Sequence, residues 1–152
     1  MVLTTRRLLL ALPAGLLLAS CKPASAAAQA ITVYKDPGCG CCTGWVEHLR
    51  TAGFAVTVVA SIDRTALQSR YGLPPEAGSC HTGIIGPYLV EGHVPADDIK
   101  RLLRERPKAG GLAVPGMPIG SPGMEMPDGS REPYDVLLVK LDGTTSVFAH
   151  HA

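Results

Sequence analysis

The stretch Ile31-Thr-Val-Tyr-Lys-Asp-Pro-Gly-Cys-Gly-Cys-Cys42 combines a strand pattern, a turn and three cysteines within four residues. Residues 31–34 alternate and carry β-branched side chains, which predicts a short strand, and Lys35-Asp-Pro-Gly38 interrupts it. From Thr43 onward, apolar residues recur at helical spacing. Sulfur concentrated at a strand-to-helix junction indicates a metal site or a redox site, because as core material cysteine is only a small hydrophobe.

The rest of the chain predicts an α/β fold. A strand over residues 54–60 and a helix over residues 63–71 follow the first strand-helix pair, and parallel strands need such crossovers. Strand patterns over residues 83–94 and a helix over residues 95–105 come next. Residues 110–130 hold too many glycines and prolines for a regular element, so we expect an irregular loop there. Residues 134–140 and 144–149, joined through Asp142-Gly143, predict a terminal hairpin.

The first twenty residues have the pattern of a signal peptide. Arg6-Arg7 precede an apolar run over residues 8–18 that is too short to span a membrane as an ordinary helix. Leu18-Ala-Ser-Cys21 resembles a bacterial lipobox, which would make Cys21 the acylated first residue of the mature chain. The alternative is ordinary cleavage near Ala26. We predict a tether over residues 21–29 and a single domain over residues 30–152. We also predict that the protein is periplasmic, and Lys22 after the cysteine resembles the sorting pattern for the outer membrane.

The composition argues against nucleic acid as a partner. The full chain carries a formal charge of +1, and cleavage before Cys21 removes two arginines and leaves −1. Nucleic-acid binding needs several Lys or Arg side chains on phosphates, and no basic face is evident. Membrane contact is expected only through the lipid anchor. Export also places the chain in an oxidising compartment, where cysteines commonly form disulfides.

Four cysteines remain after export, namely Cys39, Cys41, Cys42 and Cys80. Cys39 and Cys42 have the spacing of a thioredoxin-type redox pair, with exposed helix-terminal amides favouring the first thiolate. Cys41 adds a third thiol that a redox pair does not need, whereas a thiophilic metal gains from each thiolate. Purely structural disulfides are the plainer alternative, and Cys80 by itself is as consistent with a buried thiol or a disulfide partner as with a ligand.

The residue types favour copper(I) over harder ions. Thiolates select Cu(I), zinc or iron-sulfur clusters, and a tetrahedral zinc site stays open on residue type alone. Met117, Met124 and Met126 tilt the choice to copper, although methionines often only fill gaps in a core. His81 and His93 are candidate ligands or hydrogen-bond partners of ligands. We expect Trp45 to pack in the core beside the thiols, and His150-His151 to be a mobile end.

Several motifs in order resemble a bacterial copper-resistance family called CopG. They are Tyr34-Lys-Asp-Pro-Gly-Cys-Gly-Cys-Cys-Thr-Gly-Trp45, Cys80-His-Thr82, Tyr88-Leu-Val-Glu-Gly-His-Val-Pro95 and Gly111-Leu-Ala-Val-Pro-Gly-Met-Pro-Ile-Gly-Ser-Pro-Gly-Met-Glu125. The resemblance extends over about residues 31–149. It implies a thioredoxin-like fold with a C-terminal extension, a copper cluster on the four cysteines, and a periplasmic role in copper homeostasis that includes exchange of copper oxidation states.

Three functions therefore follow from the sequence. The first is an exported protein that holds Cu(I) on Cys39, Cys41, Cys42 and Cys80. The second is a thiol-disulfide oxidoreductase that uses Cys39 as nucleophile and Cys42 as resolving thiol. The third is a copper chaperone that passes ions to other periplasmic copper-handling proteins. The residues leave open whether the protein is an enzyme.

Overall fold

The computed structural model describes residues 28–61 and 63–152, so the predicted signal peptide, Cys21 and most of the tether lie outside the described residues. Seven strands form one sheet. They are β1 (Ala30–Lys35), β2 (Ala55–Ala60), β3 (His81–Ile85), β4 (Tyr88–Gly92), β5 (Gly111–Val114), β6 (Tyr134–Val139) and β7 (Thr145–His151). The helices are α1 (Gly40–Thr51), α2 (Thr65–Arg70) and α3 (Ala96–Glu105), with a 3-10 turn at Pro75–Ala77.

The sheet is mixed, with the strand order β2-β1-β3-β4-β5-β6-β7. β1 pairs with β2 and β4 pairs with β5 in parallel, and the remaining neighbours are antiparallel. Strand β1, helix α1 and strand β2 form the parallel crossover unit that the sequence predicts. The predicted fold class, a thioredoxin-like α/β domain with a C-terminal hairpin, is confirmed. Among the described residues, no helix is both long enough and apolar enough to cross a membrane.

Two clusters of apolar side chains cover the two faces of the sheet. Leu89 and Val90 are neighbours on β4 and belong to different clusters, because successive strand residues point to opposite faces. The larger cluster packs α1 and α3 onto the sheet, and Trp45 lies fully buried in it as predicted. Full burial of such a side chain stabilises the fold by roughly 1.5–3 kcal/mol. The smaller cluster packs Leu73 and Ala77, which follow α2, onto the other face.

Helix α1 begins one turn earlier than the sequence predicts, at Gly40 instead of near Thr43. Asp36 holds the preceding turn: its carbonyl accepts from Cys39 N at 3.1 Å and its carboxylate accepts from Gly38 N at 2.8 Å. Cys39 is the N-cap, and its sulfur accepts from Cys42 N at 3.2 Å. Apolar periodicity alone misplaces this start, because the first helical turn carries cysteines instead of the usual apolar stripe.

The predicted irregular loop over residues 110–130 is wrong in its first residues, which form β5. Gly111 pairs with Leu89 of β4, and a Cβ at Gly111 would lie 1.8 Å from the Leu89 carbonyl oxygen. Gly111 is therefore required because the backbone of β4 comes so close. The prediction of a loop was wrong here because it was based on the number of glycines in the segment. The predicted strand pattern over residues 83–94 also extends too far, because β4 ends at Gly92, where φ is +71°.

The expectation that His150 and His151 form a mobile end is wrong as well. Strand β7 extends through His151, whose ring stacks on Tyr134 with centroids 5.0 Å apart. His151 Nε2 lies 2.7 Å from the carboxylate of Asp98 on α3, and His150 Nδ1 lies 2.8 Å from Asp135. The contact between His151 and Asp98 fastens the terminal hairpin to α3, so the C-terminal extension is an integral part of the domain.

Candidate metal centre

The pairing of β1 with β3 brings the cysteines together. The two strands are antiparallel, with Lys35 opposite His81, so the end of β1 and the start of β3 meet at one edge of the sheet. The Asp36 amide donates to the Cys80 carbonyl at 3.3 Å and continues the pairing by one residue. Helix α1 begins at this same edge. The sequence places the cysteine triplet after β1 and Cys80 before β3, and this register sets them side by side.

The four sulfurs of Cys39, Cys41, Cys42 and Cys80 all lie within 4.8 Å of one another. The Cys80 sulfur is 3.2 Å from those of both Cys39 and Cys42, and the Cys41 sulfur is 3.4 Å from that of Cys39. Cys42 is fully buried, whereas the other three are partly exposed. The set is therefore open to solvent on one side. That these four residues hold a metal stays a prediction.

Disulfide formation, which the sequence left open as an alternative to metal binding, occurs at one pair of cysteines. A disulfide joins Cys39 to Cys42, while Cys41 and Cys80 are free thiols. The bridged pair is the one with thioredoxin-type spacing. The four cysteines are thus not all tied into bridges, and a four-thiolate site requires reduction of this one bond.

The electrostatics of the site disfavour several thiolates without a cation. Burial raises the pKa of the Cys80 thiol, and the neighbouring Cys41 raises that pKa further. Two groups act in the opposite direction, namely the start of α1, which favours negative charge, and Arg64, whose positive charge lowers the Cys80 pKa. A soft cation among the sulfurs removes the mutual repulsion, because each thiolate then faces positive charge.

Two buried histidines lie behind the thiols. His81 Nδ1 is 3.8 Å from the Cys80 sulfur, and its ring packs against Trp45 with centroids 4.6 Å apart. The His93 ring meets His81 edge-on at 4.9 Å, and its Nδ1 lies 2.8 Å from the Pro122 carbonyl. Within the described part of the chain, the Nε2 atoms of both rings have no hydrogen-bond partner. The structure thus brings His81 to the cysteines and places His93 one ring further away.

These histidines are neutral in the folded protein. Burial lowers the pKa of His81 to about 3, with a further contribution from His93. Burial likewise lowers the pKa of His93, and that of His48, whose Nε2 accepts from Ala96 N at 3.0 Å at the start of α3. Folding therefore favours the uncharged form of each of these three rings.

The loop that follows β5 packs directly on α1. A Cβ at Gly44 would lie 2.9 Å from Gly123 Cα, and a Cβ at Gly123 would lie 2.7 Å from the Cys41 carbonyl oxygen. Two glycines thus let the loop touch the turn that carries the thiols. Of the candidate methionines, Met117 and Met126 are 57% and 43% exposed, and Met124, next to Gly123, is partly buried. Ligation by any of the three stays a prediction.

Sequence reasoning missed Glu91, which is fully buried on β4 and accepts hydrogen bonds from Ser79 next to Cys80. Burial raises the pKa of its carboxyl, while donors from Thr82, Ser79 and Gln68 oppose that rise. A signal was present, since Tyr88-Leu-Val90 is a continuous apolar run, typical of a strand buried on both faces. A carboxylate continuing such a run is expected to be buried and hydrogen-bonded.

Comparison with known proteins identifies close relatives among solved structures. Two structures of a copper resistance protein CopG, Form 1 and Form 2, are 50% and 49% identical to the chain. Each comparison covers 82% of this chain and 98% or 99% of the solved one, with TM-scores of 0.75 and 0.76. Residues 77–124 match a family model described as a protein of unknown function, DUF411. No curated protein matches the chain.

The buried histidines predict that acid destabilises the metal-free, reduced protein. The unfolded chain binds a proton at His81 near its ordinary pKa of 6.5, and the folded chain does so only near pH 3, so stability falls as the pH drops below 6.5. Between pH 7 and pH 5, His81 alone accounts for about 2 kcal/mol of lost unfolding free energy. Urea unfolding of wild type and His81→Phe at both pH values measures this difference.

The control is Thr43→Ala, because Thr43 is an exposed residue of α1 that does not titrate. We expect this control to lose as much stability on acidification as wild type, and His81→Phe to lose about 2 kcal/mol less. Equal losses in all three proteins would show that His81 is not held neutral by the fold.

Proposed function

The chain belongs to the family of the copper resistance protein CopG, and on that premise we propose that it binds Cu(I) in copper homeostasis or resistance. Cys39, Cys41, Cys42 and Cys80 are the proposed ligands, holding the metal as a thiolate-bridged cluster. The single observation that carries this proposal is the convergence of their sulfurs within 4.8 Å. Thiolates are soft ligands that suit Cu(I), and the name of the solved relatives favours copper over the other thiophilic metals.

Crowding of the sulfurs favours bridging thiolates over one tetrahedral site. Cys41 and Cys42 are adjacent in sequence, and the Cys80 sulfur lies 3.2 Å from the sulfurs of two other cysteines at once. A thiolate that faces two neighbours can be shared between two Cu(I) ions. A structural zinc ion binds four separate thiolates in one tetrahedral site. The name of the solved relatives refers to copper and not to zinc.

Loading requires reduction of the Cys39–Cys42 disulfide. An incoming dithiol attacks with one thiolate at Cys39, the more exposed of the two sulfurs, and the Cys39–Cys42 bond breaks as Cys42 leaves as thiolate. The second thiol of the reductant then releases Cys39 and becomes part of the oxidised reductant. Two electrons and two protons are transferred in total, and Cu(I) then displaces the thiol protons.

Competition for Cu(I) tests the proposal. Reduced, anaerobic protein is titrated with Cu(I) against bathocuproine disulfonate, and we expect wild type to retain copper that a variant with Cys39, Cys41, Cys42 and Cys80 all changed to Ser loses. X-ray absorption of the loaded protein is expected to show a sulfur shell and copper-copper scattering.

Thr43→Ala is the matched control for this titration, because it changes an exposed residue of the same helix and keeps all four thiols. It is expected to retain copper as wild type does. Equal retention by wild type and by the variant without the four cysteines would reject the site. Sulfur scattering without a copper-copper distance would reject the cluster and leave a mononuclear site.

A thiol-disulfide oxidoreductase is a second candidate, favoured by the disulfide between the two cysteines of thioredoxin-type spacing. In this function the reduced Cys39 thiolate attacks a substrate disulfide and releases one substrate thiolate. Cys42 then attacks Cys39 in the mixed disulfide, so the Cys39–Cys42 bond forms as the second substrate thiolate leaves. Cys80 has its sulfur 3.2 Å from both and is able to exchange with either. The two candidates differ in what they require of Cys41.

Cys41→Ser separates the two candidates. The oxidoreductase needs only Cys39 and Cys42, so the variant is expected to keep its dithiol-disulfide exchange rate within about twofold of wild type. The copper site loses one of its ligands, so retained Cu(I) is expected to fall. Insulin reduction and the Cu(I) competition, measured on the same preparation, give both values. Loss of exchange with unchanged copper retention would contradict both assignments.

We further propose that the protein acts in the periplasm as a lipoprotein anchored through Cys21. Leu18-Ala-Ser-Cys21 supports acylation, and the run over residues 8–18 supports export. Copper-handling proteins of the same compartment are then the expected exchange partners.

The mass of the mature protein tests this localisation. We expect membrane-associated protein that begins at acylated Cys21, and Cys21→Ser is expected to release it into the soluble periplasmic fraction. A wild-type chain that begins after Ala26 and carries no lipid would show that the ordinary cleavage site is used.

A further inference from the structure

Glu91 is a buried carboxylate placed close to the thiols but on the other face of the sheet. Its position on β4 puts it on the same face as Leu89, opposite the face covered by α1. It is fully buried, and no Lys or Arg forms an ion pair with it in the described ranges 28–61 and 63–152. A buried carboxylate without a cation is costly unless several donors satisfy it.

Four hydrogen bonds satisfy Glu91. Oε1 accepts from the Ser79 amide at 2.6 Å, the Ser79 hydroxyl at 2.9 Å and Gln68 Nε2 at 3.0 Å. Oε2 accepts from the Thr82 hydroxyl at 2.6 Å. The Ser79 hydroxyl is shared, since it also lies 2.9 Å from the His81 carbonyl. Three of the four contacts are made by residues 79 and 82, which stand on either side of Cys80.

Arg64 holds the same segment from another direction. Its Nη2 donates to the Ser79 carbonyl at 3.1 Å, and its Nη1 donates to the Ser61 carbonyl at 2.6 Å, at the end of β2. Both the amide and the carbonyl of Ser79 are therefore bound by charged side chains. Such bonds are about twice as strong as neutral ones and fix the residue before Cys80.

The pairing of β1 with β3 holds the segment only from His81 onward. Cys80 lies outside β3, and the one backbone bond between it and the cysteine-bearing turn, from the Asp36 amide, is long at 3.3 Å. Yet its sulfur stands 3.2 Å from two others. A shift of about 1 Å would take the sulfur out of contact, and groups that orient a ligand commonly change metal affinity 10–100-fold.

We propose that Glu91 is a positioning residue for Cys80, holding the segment around it so that its sulfur joins those of Cys39 and Cys42. This inference rests on the proposed function in so far as Cys80 is a copper ligand. Glu91 touches no sulfur and binds no metal itself. It acts through Ser79 and Thr82.

A metal-free experiment tests the positioning directly. In the full chain carrying Cys21→Ser, Cys41→Ser and Cys42→Ser, equilibration with reduced and oxidised glutathione gives the effective concentration of Cys80 towards Cys39. We expect Glu91→Ala to lower that concentration at least 10-fold, because the segment loses three of its anchors. Glu91→Gln keeps the acceptor for the Ser79 amide and is expected to lower it less.

The matched control is Glu132→Ala, because Glu132 is an exposed carboxylate that also accepts from a backbone amide, that of Ile119, in the extension. It is expected to leave the effective concentration unchanged. Where Glu91→Ala does not fold, Glu91→Gln and Thr82→Val carry the test, since both keep the side-chain volume. An unchanged value in the folded variants overturns the inference.

Copper competition separates this inference from the proposed function. We expect Glu91→Ala to weaken Cu(I) retention about 10–100-fold in the chain with all four cysteines, and to have no further effect in the Cys80→Ser background. Full retention by Cys80→Ser would remove Cys80 from the proposed site while the glutathione experiment still decides the role of Glu91. A loss of equal size in both backgrounds would show that Glu91 supports the fold in general and overturn the inference.

Discussion

The antiparallel pairing of β1 with β3 is the constraint on which the site depends. It places the residue after β1 against the residue before β3, which makes Cys80 a neighbour of cysteines some forty positions earlier. A shift of one residue in this register would turn every side chain of β3 to the other face and take His81 away from Trp45. The apolar clusters on both faces of the sheet resist such a shift. The same register therefore buries the core and brings the sulfurs together.

Opposing electrostatic effects act on the ionisation of the cysteines until a cation is present. The start of α1 and Arg64 favour thiolates, whereas burial and close neighbours favour thiols or a disulfide. The structure with a Cys39–Cys42 bridge resolves this conflict without metal, because a disulfide carries no charge. A soft ion resolves it in another way, and the neutral, buried His81 adds no positive charge of its own. The same four residues are thus suited to two stable states.

Much of the fold could be predicted from the sequence because its signals are local. Strand alternation, the Asp142-Gly143 turn and the strand-helix order are each visible within a few residues of sequence. The structure contains the elements that these signals predict. The missed features depend on partners far along the chain. β5 exists because Gly111 fits against Leu89, His151 is ordered because Asp98 and Tyr134 receive it, and the role of Glu91 depends on the loop before Cys80. The sulfur set itself was predicted from residue type, and the bridged pair is the Cys39 and Cys42 redox pair that the sequence offered as an alternative.

The contact between Gly44 and Gly123 packs two distant parts of the chain backbone to backbone. Neither position has room for a Cβ, because a Cβ at Gly44 would meet the Gly123 backbone and a Cβ at Gly123 would meet the backbone of α1. A chimaera that takes the thioredoxin-like half from one relative and the extension from another would need both glycines to close. The loop before the terminal hairpin and the first turns of α1 therefore constrain each other's backbone at these two positions.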